Sequence, residues 1–69
     1  MDLPNRVKNS VQKALDMDKN NCQIMSNTFE CNTGTRIKMR DMFLEMGVEC
    51  YFERLQGEDV KIWLQWKTF

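Results

Sequence analysis

The sequence predicts an α+β fold: a small two-layer domain with two helices packed on one face of a three-stranded antiparallel sheet, in the order α-β-α-β-β. Three observations lead to it. Apolar residues recur at helical spacing between Leu3 and Leu15, a second helical stretch ends at Gly47, and residues 48–67 alternate apolar and polar side chains around a Gly-containing turn. Sixty-nine residues with 42% hydrophobic content accommodate one domain, 1–69, and no second. A chain this short buries only about 60% of its unfolded surface, so nearly every apolar position is needed for the core.

The first helix is predicted over residues 2–17. Leu3, Val7, Val11, Ala14 and Leu15 follow one stripe, and Asn5, Arg6, Lys8, Asn9, Gln12 and Lys13 occupy the other side. Asp2 suits the N-cap, Pro4 falls in the first turn where its missing N–H is tolerated, and Asn20-Asn21 can adopt the left-handed conformation that ends a helix. Residues 22–31 read as one strand, with Gln23, Met25, Asn27, Phe29 and Cys31 on one face and Cys22, Ile24, Ser26 and Thr28 on the other. The alternative is a tight hairpin turning at Ser26-Asn27, which would make the sheet four-stranded.

The second helix follows the turn 32–35, where Thr33 or Thr35 can cap it, and runs to Met46 before Gly47 stops it. Met39, Met42, Phe43 and Met46 gather on one side of it while Ile37 and Leu44 lie nearly opposite, so this helix is apolar on two sides. In the C-terminal hairpin, Val48, Cys50 and Phe52 alternate with Glu49, Tyr51 and Glu53, and after Gln56-Gly57-Glu58-Asp59 come Val60, Ile62, Leu64 and Trp66 alternating with Lys61, Trp63, Gln65 and Lys67. Keeping the apolar face together pairs Phe52 with Ile62 and Cys50 with Leu64. The same register sets Glu53 against Lys61 and Tyr51 against Trp63 on the outer face. The apolar face is expected to bury Val48, Cys50, Phe52, Ile62, Leu64 and Trp66 against Leu3, Val7, Val11 and Leu15 and one side of the second helix.

Composition narrows the chemistry. The chain has no histidine, the side chain that supplies most general bases and many metal ligands, so an enzyme is not expected. Cys22, Cys31 and Cys50 are odd in number and lack zinc-site spacing, which argues for small buried side chains in strands with reduced thiols, and for no metal and no cofactor. The opening MDLPNRVKNS has no apolar signal region, and charge interrupts every stretch that approaches the roughly 20 apolar residues of a membrane span. A cytoplasmic protein with no membrane partner is the expectation. One Ala beside six Asn, six Lys and six Met hints at an AT-rich coding sequence such as that of many bacteria and phages.

Four features bear on function, each beside a structural explanation. Thr35, Arg36, Lys38 and Arg40 place cations and a hydroxyl at a helix start, where the dipole favours anions; the structural explanation is a capped helix with solvated cations. Residues 1–40 carry seven basic against four acidic side chains, a net +3, and residues 41–69 three against six, a net −3, a split that can steer a charged partner or arise by chance. Met39, Met42 and Met46 form a flexible stripe suited to an adaptable partner surface or to filling a small core. Tyr51 and Trp63, with Lys61 beside them, put aromatic anchors on the outer face of the hairpin, where cross-strand packing is the plain explanation. These features favour a non-catalytic protein-interaction domain, a small regulator, inhibitor or adaptor of phage or mobile-element type, with a homodimer as one form of partnership. The alternative is a nucleic-acid-binding protein using Arg36, Lys38, Arg40 and the basic side of the first helix, Arg6, Lys8 and Lys13; the zero net charge weighs against it.

Overall fold

A computed structural model describes residues 2–67 and contains helix α1 (Leu3–Asp16), strand β1 (Asn21–Asn27), helix α2 (Thr33–Glu45), strand β2 (Val48–Arg54) and strand β3 (Asp59–Trp66). The sheet order is β1-β3-β2, with both outer strands antiparallel to β3. β1 and β2 therefore run parallel on either side of β3, and α2 is the crossover that joins them over one face. No helix among the described residues is long and apolar enough to cross a membrane.

Helix α1 starts as its sequence dictates: the Asn5 amide donates to Asp2 Oδ1 at 3.1 Å, and Pro4 sits in the first turn. It ends differently. Asp18, at φ 57°, takes the left-handed position in place of Asn20-Asn21. The Asp18 amide donates to the Leu15 carbonyl at 3.0 Å and the Lys19 amide to the Ala14 carbonyl at 2.9 Å, the bond pair of a Schellman cap. Glycine adopts that conformation without a Cβ penalty, so Asp18→Gly is expected to stabilise the domain by up to about 1 kcal/mol. In thermal melts this appears as a rise in Tm of about 4–8 °C.

Leu3, Val7, Val11 and Ala14 are buried, while Leu15 is 39% exposed and lies outside the core to which its stripe assigned it. The reason is angular drift. Each four-residue step advances about 40° around the helix, so Leu15 sits about 120° from Leu3 while Ala14 lies within about 20°.

β1 is a single strand, and it stops at Asn27, short of the boundary at Cys31 predicted from alternation. Asn27 turns the chain: its side chain accepts from the Glu30 amide at 2.9 Å and its carbonyl from the Cys31 amide at 2.9 Å. Phe29 is consequently 71% exposed, and Cys31, which alternation placed in a strand, is buried from within the turn. Arg6 reaches across from α1 to Glu30 at 3.2 Å, and Ser26 also donates to that carboxylate, which together hold it below the usual carboxylate range.

The α2 cap is Asn32, rather than Thr33 or Thr35; its Oδ1 accepts from the Thr35 amide at 3.0 Å. Of the two apolar sides of α2, the one bearing Met39 and Phe43 faces the sheet, both at 0% exposure, with Met42 half-buried beside them. Ile37 and Leu44 point to solvent. Gly47, at φ 75°, ends the helix.

The hairpin register is the predicted one, pairing Phe52 with Ile62, Cys50 with Leu64, Glu53 with Lys61 and Tyr51 with Trp63. Ile62 and Leu64 occupy the central strand and are fully buried. Phe52, near the edge, and Trp66, at the strand end, were expected in the core and are only half-buried. The middle of the central strand has sheet on both flanks and helices above, whereas Phe52 on an outer strand keeps one open flank and Trp66 lies at the end of β3, beside the groove where the helices end.

Candidate functional site: the outer sheet face

Both helices lie on one face of the sheet, so period-two alternation turns the odd-numbered residues of all three strands to the other face. The strand pairing arranges them in rows: Asn21–Gln65–Glu49, then Gln23–Trp63–Tyr51, then Met25–Lys61–Glu53. Tyr51 and Met25 are each 52% exposed and Trp63 36%. Tyr51 and Trp63 are thus surface residues directly opposite one another on neighbouring strands, with Met25 one row away.

Hydrogen bonds hold this face in one arrangement. The Trp63 indole donates to Glu53 Oε1 at 3.0 Å, the Tyr51 hydroxyl to Glu49 Oε2 at 2.9 Å, and the Gln65 side-chain Nε2 to the same Glu49 oxygen at 3.0 Å. Lys61 Nζ lies 5.1 Å from the centre of the Trp63 ring. The two carboxylates thereby fix both aromatic rings. Glu49, Glu53 and Asp59 against Lys61 leave the face acidic.

Glu49 pushes the Tyr51 phenol above its ordinary value, first through the hydrogen bond and then through its charge. Tyr51 is the only tyrosine in the chain, so its ultraviolet ionisation curve is read without overlap. Its midpoint is expected above about 10 and should fall when Glu49→Ala removes the acceptor. The raised phenol favours the folded state below about pH 10, and that preference is lost as pH rises through the folded midpoint. A midpoint unmoved by Glu49→Ala would show that the contact is absent in solution.

The remaining predicted site residues separate. Met39 is in the core and Met42 half-buried, so the methionine stripe fills the protein's own interior and only Met46 reaches the surface. Thr35 has its amide occupied by the Asn32 cap. Arg36 and Arg40 share one side of α2, and Lys38, about 200° from Arg36, points away from them. Arg36 lines a cleft of about 310 Å³ together with Arg54, a residue that no sequence pattern had linked to it. Arg40 stacks over the Phe52 ring at 5.5 Å. Arg6–Glu30 is the one ion pair among the described residues, so Arg6 is engaged while Arg36, Arg40 and Arg54 have no carboxylate partner.

A groove of about 630 Å³ opens where the helix ends meet the sheet, bordered by Leu15, Met46 and Trp66; the Trp66 indole donates to the Lys19 carbonyl at 3.0 Å. The Cys50 and Cys22 thiols are poor nucleophiles: burial pushes Cys50 up to about 11 against the pull of Arg40, and burial also raises Cys22. Among the described residues no group of His, Cys, Asp or Glu is placed to hold a metal ion. Compared with protein-family models, curated proteins and solved structures, the chain matches none of them.

Proposed function

We propose that the outer face of the sheet binds a protein partner and that the domain acts without catalysis, as a small regulator, inhibitor or adaptor. The observation that carries this reading is the exposure of Tyr51, Trp63 and Met25 in adjacent rows, bordered by Glu49, Glu53 and Lys61. Aromatic anchors surrounded by a polar rim are the composition of interface centres. Hydrogen bonds from Trp63 and Tyr51 to the two glutamates hold the rings before binding, so less side-chain freedom is lost on contact. The acidic rim favours a partner with lysine or arginine around an apolar centre.

The test is capture from native lysate, with and without nuclease, comparing the natural chain with Tyr51→Ser/Trp63→Ser. Both residues are surface-exposed, so the variant should keep its circular dichroism spectrum while losing roughly 30-fold or more in affinity for the captured protein. Capture that survives the double substitution would overturn the reading.

A second reading, nucleic-acid binding, draws support from Arg36 and Arg54, which line one cleft, and from Arg40 over the Phe52 ring that also lines it, none of them with a carboxylate partner among the described residues. It predicts oligonucleotide binding that weakens steeply with salt and is lost in Arg36→Ala/Arg40→Ala. Submicromolar binding at about 150 mM salt would put it first; affinity on the order of 10⁻⁴ M or weaker is what the protein-interaction reading expects.

A further inference from the structure

Both flanking strands are sheet edges, but they differ in how they meet solvent. β2 carries Glu49, Glu53 and Arg54, the charges by which natural edges discourage pairing. β1, Asn-Cys-Gln-Ile-Met-Ser-Asn, has no charge and no proline. Its seven residues, at about 3.4 Å each, give it a run of about 24 Å.

The backbone pattern shows which groups of β1 are free. The Trp66 amide donates to the Asn20 carbonyl and the Thr28 amide to the Glu58 carbonyl. Hydrogen-bonded pairs alternate along an antiparallel ladder, so the even-numbered residues of β1 bond to β3 and the odd-numbered ones turn their N–H and C=O groups outward. Of these, the Asn27 carbonyl alone has a backbone partner among the described residues, the Cys31 amide. The core is also open along this edge: Ile24, in register with the fully buried Ile62, is only half-buried, as are Cys22 and Ser26.

We propose that β1 is the seam at which two copies of this chain join, antiparallel about a two-fold axis through Ile24, to form a six-stranded sheet. The inference goes beyond the protein-binding reading and does not depend on it. Parity supports self-pairing. Centred on Ile24, the two-fold sets Gln23 against Met25 of the second copy and Asn21 against Asn27, so that the odd-numbered, outward-turned groups meet one another. On the helix side it brings the two Ile24 side chains together and sets Cys22 against Ser26, which closes the open flank of the core.

Charge favours the same seam. β1 itself carries no charge, so the two-fold through Ile24 sets no like charges of the strand against one another. The corresponding two-fold on β2, centred on Tyr51, would set Glu49 directly against Glu53 of the second copy, a destabilising like-charge pair. A seam made by one strand from each copy lies at the small end of specific interfaces, so dissociation is expected in the range of roughly 10–100 μM.

The experiment is sedimentation equilibrium of the full chain from micromolar to millimolar concentration, with amide hydrogen exchange at both extremes. The mass is expected to rise from 8.3 kDa toward twice that value, and exchange at Gln23 and Met25 to slow at least tenfold at high concentration. Gln23→Glu/Met25→Glu places glutamate opposite glutamate across the seam and should remain monomeric; Gln23→Lys/Met25→Glu places lysine opposite glutamate and should restore the dimer. In both variants the carboxylate introduced by Met25→Glu would face Lys61 within its own sheet, which favours folding. A mass that stays at 8.3 kDa to millimolar concentration overturns the proposal. So does a dimer equally strong in both variants, which would place the contact elsewhere, or unchanged exchange at Gln23 and Met25, the measurement that decides if a variant fails to fold.

Discussion

Phe43→Ala is expected to unfold most of the protein at 37 °C. Phe43 is the largest side chain with no solvent exposure among the described residues, and it lies one turn from Met39 in the contact between α2 and the sheet. Truncating a buried phenylalanine costs about 3–5 kcal/mol, through lost burial and through the cavity that remains. A chain of this length has a total stability of about 3–10 kcal/mol. Loss of most of that margin should lower Tm by at least about 12 °C, measured by circular dichroism, and expose dye-binding apolar surface. The other side of the same helix supplies the control. Leu44, 75% exposed, should tolerate alanine within about 0.5 kcal/mol, so equal effects of the two substitutions would mean that α2 faces the sheet the other way.

Ile62→Ala is expected to cost about 2–5 kcal/mol, clearly more than Phe52→Ala in spite of the larger phenylalanine side chain. Ile62 has no exposure and is the central member of a row running from Ile24 through β3 to Phe52, with the helices above it. Phe52 is half-buried, and its ring is covered on one side by Arg40 rather than by core. Removing it leaves a surface notch that water can enter, without the cavity penalty that Ile62→Ala incurs. Urea titrations of the two variants measure the difference, and a greater loss for Phe52→Ala would place the centre of the core at β2 instead of β3.

The outer sheet face was legible in part. Tyr51 and Trp63 could be paired before the structure because one hairpin contains both and alternation places both on its solvent side. Met25 joins them only because β1 lies against β3 in a register that sets it opposite Lys61. No local pattern encodes that pairing, since a turn, the whole of α2 and the whole of β2 separate β1 from β3 in the chain. The meeting of Arg36 with Arg54 at one cleft has the same origin: α2 must dock over β2 before the two are neighbours.

What the sequence determined alone were features whose causes lie close together in the chain and point one way. The hairpin register follows from alternation reinforced by Glu53 with Lys61 and Tyr51 with Trp63; the start of α1 follows from Asp2 and Pro4, and the end of α2 from Gly47. The tertiary structure decided what competing local signals left open. It selected the Met39–Phe43 side of a helix apolar on two sides, ended β1 at Asn27 although alternation continued to Cys31, and left Leu15 at the rim of a stripe that drifts around α1. For α2 the two sides are locally equivalent, and the difference comes from side chains distant in the chain, whose burial is settled only when helix and sheet meet; β1 ends where Asn27 bonds to Glu30 and Cys31, and Leu15 leaves the stripe through the drift of its own helix.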